Sequence, residues 1–205
     1  CNGDCGGSAV EDECGVCGGD GLDCGSSSFM VSLEIQNVDL DSGTLDIYTT
    51  NQAGCGYCSD SIYPNEDQCI LLGNNGDGAE WIFDSNMTES DCDELGYVSG
   101  TTIPIGSWFD GYIGGFQFEL TGITITDASA PSGFFMSTSA TTVLAFSLTG
   151  ATIAPGSDVL TTISFSNYQG GEICFGEDTG SAGGTAISDA NGAYIAADWG
   201  DCYGS

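Results

Sequence analysis

Residues 29–36, with the sequence FMVSLEIQ, place an apolar side chain at every second position: Phe29, Val31, Leu33 and Ile35. Successive side chains of a β-strand point to opposite faces of a sheet. A period of two therefore predicts a strand with one buried face. This stretch sets the expectation for the rest of the chain, because the same pattern returns in many later segments.

The next segment of this kind is residues 44–50, which follow a turn at residues 41–43 and are expected to direct Leu45 and Ile47 inward. Further predicted strands are separated by Gly, Pro, Ser and Asp: 116–120, 122–126, 134–137, 143–148, 159–165, 172–175, 185–188 and 193–197. A hairpin turn is predicted at residues 189–192. Short strands at such regular intervals are typical of an all-β sandwich or barrel.

Residues 51–109 interrupt the alternation and are predicted to be a small disulfide-rich insertion. Two segments within it, residues 65–73 and 88–96, each begin with a helix N-cap residue, carry acids in the first turn and end with Gly. These features predict two short helices, each presenting one Cys. We expect Trp81 and Trp108 to pack within this block.

Eleven cysteines in 205 residues indicate an oxidising, extracellular setting in which disulfides persist. A structural zinc site is the alternative for the Cys-X-X-Cys pairs at 14–17 and 55–58, but the chain has no His and is acidic around them. The four cysteines of the insertion allow three pairings, whereas Cys174 is expected to pair with Cys202. The predicted disulfide cysteines are Cys1, Cys5, Cys14, Cys17, Cys24, Cys55, Cys58, Cys69, Cys92, Cys174 and Cys202.

The charge of the chain excludes several functions. It has no Lys, Arg or His against 30 Asp and Glu, a formal net charge of −30. No basic side chain is present to bind nucleic acid or an anionic membrane surface. Catalysis by Ser-His or Cys-His pairs or by a Lys Schiff base is excluded as well. The chemistry that remains is a carboxylate pair of the glycosidase type or a metal held by carboxylates. Charge-rich faces usually form a solvated, cation-binding surface, so we do not expect an enzyme.

Residues 1–28 form a Gly/Asp/Cys-rich arm, in which the motif Cys5-Gly-Gly recurs as Cys17-Gly-Gly. Such a segment cannot build a hydrophobic core, so cross-links, bound ions or a neighbouring surface must order it. Carboxylate and amide oxygens are the ligands that Ca²⁺ prefers. The predicted Ca²⁺ ligands are Asn2, Asp4, Asp12, Asp20 and Asp23 in the arm, and Asp39 and Asp41 after it. The alternative is a disulfide-linked spacer with solvated acids.

The localisation expected from these features is extracellular or at the cell surface. No apolar run reaches the roughly 20 residues of a membrane span, and no signal peptide is visible, so a secretion signal would have been removed or lie outside this sequence. Cys1 has two interpretations, a lipid-bearing residue or the point at which a processed chain begins. Asn86-Met-Thr88 is a sequon for N-glycosylation, which makes Asn86 a candidate glycan site.

Four segments resemble cohesin-like β-sandwiches: GFQFEL at 115–120, VLAFSL at 143–148, VLTTISF at 159–165 and ISDANG at 187–192. The resemblance implies a cohesin-like or immunoglobulin-like sandwich over residues 29–205, interrupted by residues 51–109. The sequence identifies no dockerin-binding face, so that role of cohesins is not carried over. The arm sequence CGVCGGDG resembles stalk repeats of large secreted proteins from aquatic microbes. Together, the two parts resemble the subunits of extracellular fibrils from environmental water, which implies a structural role.

The sequence thus predicts a structural subunit of an extracellular filament or surface matrix. Copies of the chain would join head-to-tail through the arm, stabilised by Ca²⁺ and disulfides, and an odd number of arm cysteines leaves one for a bridge between chains. The alternative is a carbohydrate- or protein-binding adhesin module of a large secreted surface protein. It predicts a monomer with exposed aromatic side chains, such as Tyr57, Tyr63 and Trp81, lining a groove.

Overall fold

A computed structural model describes residues 30–65, 68–69, 79–179 and 184–204. The arm at residues 1–28, with its predicted Ca²⁺ ligands and five cysteines, lies outside the described residues. The strands are β1 (Val31–Asp39), β2 (Thr44–Asn51), β3 (Gly54–Cys58), β4 (Trp81–Asp84), β5 (Ser107–Phe109), β6 (Ile113–Thr121), β7 (Thr124–Ala128), β8 (Phe135–Thr138), β9 (Thr142–Phe146), β10 (Gly156–Ser166), β11 (Cys174–Phe175), β12 (Ala186–Asp189), β13 (Tyr194–Ile195) and β14 (Ala197–Asp198), and the helix is α1 (Glu89–Glu94).

The described strands form three sheets. The first has five strands in the order β14-β1-β2-β10-β7, and the second has the order β13-β12-β6-β9-β8, with β11 also paired to β6. The third, in the order β4-β3-β5, lies within the insertion. Strand β14 pairs with β1 in parallel, whereas the other strand pairs are antiparallel. The predicted all-β class is confirmed.

One hydrophobic core takes side chains from both larger sheets. Leu33 and Ile47 of the first sheet and Phe118 and Val143 of the second are fully buried. Strand β2 alternates strictly between buried and partly buried positions, as its sequence pattern predicts. Fully burying one such apolar side chain stabilises a fold by about 1.5–3 kcal/mol, so the two sheets stabilise each other.

The predicted strand at residues 193–197 is in fact two strands. Tyr194–Ile195 pairs with β12 in the second sheet, whereas Ala197–Asp198 pairs with β1 in the first. The chain therefore crosses between sheets at residue 196. A run of apolar residues predicts strand structure but not which neighbouring strand each segment pairs with. The predicted hairpin turn before it is present, because the amide of Gly192 donates to the carbonyl of Asp189.

The insertion contains more regular structure than its sequence predicts, since β3, β4 and β5 form a sheet of their own. The second predicted helix is present as α1, with Thr88 as its N-cap and Asp91 completing a capping box. Of the first predicted helix, the structure describes residues 68–69, which are helical. The side chain of Asn65 accepts a hydrogen bond from the amide of Gln68, as expected of an N-cap.

Disulfides hold this block together in one of the three possible pairings. Cys55 pairs with Cys92, and Cys58 pairs with Cys69. Trp81 packs against the second of these bridges, as predicted, with Tyr63 beside it. Among the described residues, no helix has the length and apolar character that crossing a membrane requires.

Candidate functional site

The first sheet has an incompletely covered edge, which we call the β1 edge. Strand β14 pairs with β1 only at Val31 and Ser32. From Leu33 to Asp39, no strand in the described part of the chain pairs with β1 on that side. An uncovered strand edge offers backbone donors and acceptors to another chain.

The register shows which backbone groups face the open side. The amide of Gln52 donates to the carbonyl of Met30 at 3.3 Å, which makes Met30 and Gln52 a hydrogen-bonded pair. In an antiparallel pair of strands, hydrogen-bonded and non-hydrogen-bonded residue pairs alternate along the strands. Ile35 then falls in a non-hydrogen-bonded pair with Ile47. Its N–H and C=O point away from β2 and towards the open edge.

A groove of about 470 Å³ lies along this edge. Its lining combines strand β1 with the C-terminal segment: Ser32, Leu33, Glu34, Ile35, Asp198, Gly200, Asp201, Cys202 and Tyr203. Glu34, Asp198 and Asp201 are exposed. The groove therefore presents an open strand backbone between carboxylates, which would repel an acidic segment unless that negative charge is offset.

The C-terminal segment is held firmly enough to form the far wall. Cys202 is bonded to Cys174, as predicted, and Ile173 and Tyr203 exchange two backbone hydrogen bonds of 3.0 and 2.9 Å. Gly200 has φ +56°, and a Cβ there would lie 2.5 Å from the carbonyl oxygen of Leu33. Only glycine lets the wall approach β1 so closely.

The two predicted Ca²⁺ ligands that the structure describes, Asp39 and Asp41, lie at the turn after β1. Oδ1 of Asp39 accepts hydrogen bonds from the amides of Ser42 and Asp41 at 3.1 and 2.9 Å. The hydrogen bond from the Ser42 amide, with smaller contributions from the Ser42 side chain and the Asp41 amide, holds the pKa of Asp39 below its usual value of 3.8. Asp39 thus stabilises the turn itself.

Within the described ranges, no third carboxylate or thiol completes a cluster with Asp39 and Asp41. The donor atoms of Glu172, Cys174 and Cys202 do lie within 4.8 Å of one another. Both sulfurs belong to a disulfide, however, and a metal ligand must be a thiolate. This trio is therefore not a metal site, and Ca²⁺ binding stays a prediction.

Asn86, the predicted glycan site, is exposed in the turn after β4. Its amide and its Nδ2 both donate to Oδ1 of Asp84, at 2.8 and 3.3 Å. Thr88, the third sequon residue, is also the N-cap of α1 and donates its hydroxyl proton to Asp91. The sequon is accessible on the surface.

The alternative function depends on three aromatic side chains of the insertion. Tyr57, Tyr63 and Trp81 are each partly buried, and the last two pack on the Cys58–Cys69 bridge. The exposed aromatic residues of the core sheets are elsewhere, at Phe135 and Tyr194. The sequence pattern could not single these out, because aromatic residues favour both faces of a strand.

No family model, curated protein or solved structure matches this chain. The functional argument therefore rests on the geometry of the described residues.

Proposed function

We propose that this chain is a structural subunit of an extracellular filament or surface matrix, in which residues 1–28 of one copy dock into the β1 edge groove of the next. The observation that carries the proposal is this groove. It exposes the backbone of Ile35 to an added strand, and Ile35 lies on β1, the first strand of the described residues.

The topology favours docking between copies over docking within one chain. Strand β14 covers Val31 and Ser32, the part of the edge next to the start of the described residues. We therefore assign the open part of the edge at Ile35 to the arm of a second copy. A contact between two different surfaces does not close on itself and generates a linear polymer.

The fold we propose is a cohesin-like or immunoglobulin-like β-sandwich. Its support is the hydrophobic core shared by the two larger sheets and the predominance of antiparallel pairing. Such a fold leaves sheet edges available for assembly. It does not by itself define a function.

Electrostatics give Ca²⁺ its role in this proposal. The arm carries Asp and Glu but no basic residue, and the groove presents Glu34, Asp198 and Asp201. At physiological ionic strength, charges within about 8 Å are poorly screened. Ca²⁺ bound between carboxylates of the arm and carboxylates of the groove offsets this repulsion, because Ca²⁺ is a hard cation that prefers oxygen ligands.

The extracellular setting is supported by the three disulfides of the described residues, which persist in oxidising compartments. A non-enzymatic role is part of the same proposal. The carboxylates that the structure singles out by lowered pKa, Asp39 and Asp91, accept hydrogen bonds in a turn and a helix cap, so their electrostatics serve local structure.

The test is light scattering of the unreduced full chain, first in Ca²⁺ and then in EDTA. We expect large linear species that shorten in EDTA. The variant D198N/D201N removes two of the groove carboxylates that would share Ca²⁺ with the arm, so it should need a higher Ca²⁺ concentration to assemble than the natural chain. The matched control D93N/E94Q removes two exposed charges from the insertion and should leave that concentration unchanged.

A monomer under all conditions would contradict the proposal. Large species that respond equally to both double variants would show that general charge repulsion, and not the groove, controls assembly.

A further inference from the structure

A line of five residues, three of them aromatic, crosses the second sheet on the side away from the core. The strand registers pair Tyr194 with Ser188, Ser188 with Gly115, Gly115 with Phe146, and Phe146 with Phe135. These five residues therefore lie side by side on β13, β12, β6, β9 and β8. We call them the aromatic line.

The alternation of the strands shows that this line faces outward. The neighbouring residues Ile187, Phe116 and Ala145 are buried in the core, so side chains one position away point to the opposite face. Phe135 is 59% exposed and Tyr194 is 49% exposed. Isolated exposed apolar residues are ordinary, but an aligned set is a candidate binding surface.

Gly115 makes the middle of the line a groove, with a volume of about 260 Å³. A Cβ at Gly115 would lie 3.2 Å from the Ser188 hydroxyl and from the Ala145 carbonyl, so a side chain here would fill the floor. Tyr194 stands on one side. Phe146 stands on the other with Phe135 behind it, their ring centroids 5.5 Å apart.

The Tyr194 ring is held in place before any ligand arrives. Its hydroxyl donates to Oδ2 of Asp178 at 3.2 Å, and the same carboxylate oxygen accepts from the indole of Trp199 at 2.6 Å. A ring that is already ordered loses less entropy on binding. Neutral polar groups lie beside the line, including Gln117, which donates to the carbonyl of Gly184 and retains its amide oxygen as an acceptor.

The chemistry of the groove selects an uncharged ligand. Its lining contains no charged side chain, and the chain has no basic residue that would hold an anion. Flat ring faces bordered by amide and hydroxyl groups match a saccharide, which has C–H faces and a hydroxyl rim. Tyr194 and Phe146 are three strands apart, roughly 14 Å at 4.7–4.9 Å per strand, which suits several linked sugars.

We propose that the aromatic line binds a neutral polysaccharide, which lies across the strands from Tyr194 over Gly115 to Phe146 and Phe135. This surface belongs to the second sheet, whereas the β1 edge groove belongs to the first. The binding proposed here therefore does not depend on assembly, and the two can be tested separately.

The experiment measures retention of the unreduced full chain on cellulose and on chitin, and in native gels containing soluble β-1,3-glucan, mixed-linkage β-glucan or mannan. We expect binding to at least one polymer. The variants Y194A and F135A should each weaken it roughly tenfold, the effect of losing one aromatic contact of about 1.4 kcal/mol. The matched control Y97A removes a tyrosine that is 65% exposed in the insertion and should bind normally.

Far-ultraviolet circular dichroism checks that the variants remain folded, and a charged substitution, A186E, blocks the groove without removing a ring. Failure of the natural chain to bind any of the five polymers would overturn the proposal. So would equal losses in Y194A and Y97A. If Y194A and F135A instead changed only the size of the assembled species, the aromatic line would be a contact between copies and the saccharide proposal would be wrong.

Discussion

The indole Nε1–H of Trp199 donates a hydrogen bond of 2.6 Å to Oδ2 of Asp178. Trp199 directly follows β14, the strand that closes the start of the β1 edge, and its ring meets Phe175 edge-on at 5.3 Å. One carboxylate thus connects the C-terminal segment to the end of the second sheet. This contact orders the wall of the groove and, through Tyr194, one end of the aromatic line.

We expect D178A to lower the free energy of unfolding by about 1–3 kcal/mol, because the buried part of the Trp199 indole loses its acceptor. D178N keeps an oxygen acceptor and should lose less than half as much. Urea unfolding of the unreduced protein, followed by tryptophan fluorescence, measures both. Equal stability of D178A and the natural chain would show that the hydrogen bond contributes nothing measurable.

The Cys174–Cys202 bridge should matter for assembly as well as for stability. It closes a separation of 28 residues, and removing it with C174S/C202S should cost about 3 kcal/mol. Because Cys202 lines the groove, we also expect weaker assembly at temperatures where the variant is folded. The control C55S/C92S removes a bridge of the insertion and should destabilise that block while assembly persists. If neither variant changes assembly, the wall of the groove is not required for the polymer to form.

Asn51 is a buried polar residue that ties three segments together. It is 1% exposed, and its Nδ2 donates to the carbonyls of Gly111 and Ala154. N51L leaves both carbonyls without this donor and should cost about 2–4 kcal/mol in urea unfolding.

N51D adds a pH test at the same position. A carboxylate buried against two carbonyls resists ionisation, which raises its pKa in the folded state. An acid with a raised pKa destabilises the fold increasingly as pH rises above its unfolded value. The stability deficit of N51D relative to the natural chain should therefore be larger at pH 7 than at pH 4, whereas that of N51L should not change. A constant deficit for N51D would contradict this account.

The alternation of apolar residues predicted most of the fold because the core sheets bury one face each. Leu33, Leu45 and Ile47 are buried as their positions in the pattern require. The sequence pattern did not predict the insertion sheet, because β3 has the sequence GCGYC, in which apolar and polar residues do not alternate. Two of its positions are glycines beneath aromatic rings: a Cβ at Gly54 or Gly56 would collide with Phe83 or Trp81.

The candidate site was far less predictable than the fold. Whether a strand lies at a sheet edge depends on distant partners, and β1 is exposed only because β14 ends after two residues. The outward position of Phe135 likewise depends on Met136 packing against the core. The Cys174–Cys202 pairing was predictable because no other cysteine lies nearby in the sequence, whereas the pairing within the insertion needed the fold.

The capping box of α1 should give the insertion a dependence on acid. The side-chain hydrogen bond from Thr88, followed by its backbone amide, lowers the pKa of Asp91 below its usual value of 3.8. A lowered pKa contributes stability that is present above the unfolded value and is lost as pH falls through the folded value. The stability difference between the natural chain and D91N should thus shrink as the pH falls below the usual value of 3.8.

The comparison with D91N is needed because acid also relieves the repulsion among 30 carboxylates, which acts in the opposite direction. Thermal unfolding of both proteins between pH 2 and 7 provides the measurement. E94Q, which removes an exposed charge from the end of the same helix, serves as the control and should show no such pH-dependent difference. If D91N and the natural chain kept a constant difference at every pH, the cap would not be linked to the ionisation of Asp91.

The most direct test of strand addition is a proline at Ile35. The N–H of Ile35 points to the open side of β1 and not to β2, so I35P removes no hydrogen bond of the existing sheet. Proline is tolerated at such edge positions. It does remove the donor that an added strand needs. We therefore expect I35P to abolish assembly in Ca²⁺, measured by light scattering. I35A loses the same packing of a partly buried side chain but keeps the N–H, and it should still assemble. Assembly of I35P at the level of I35A would show that the arm joins its neighbour through side chains or disulfides and not as a strand.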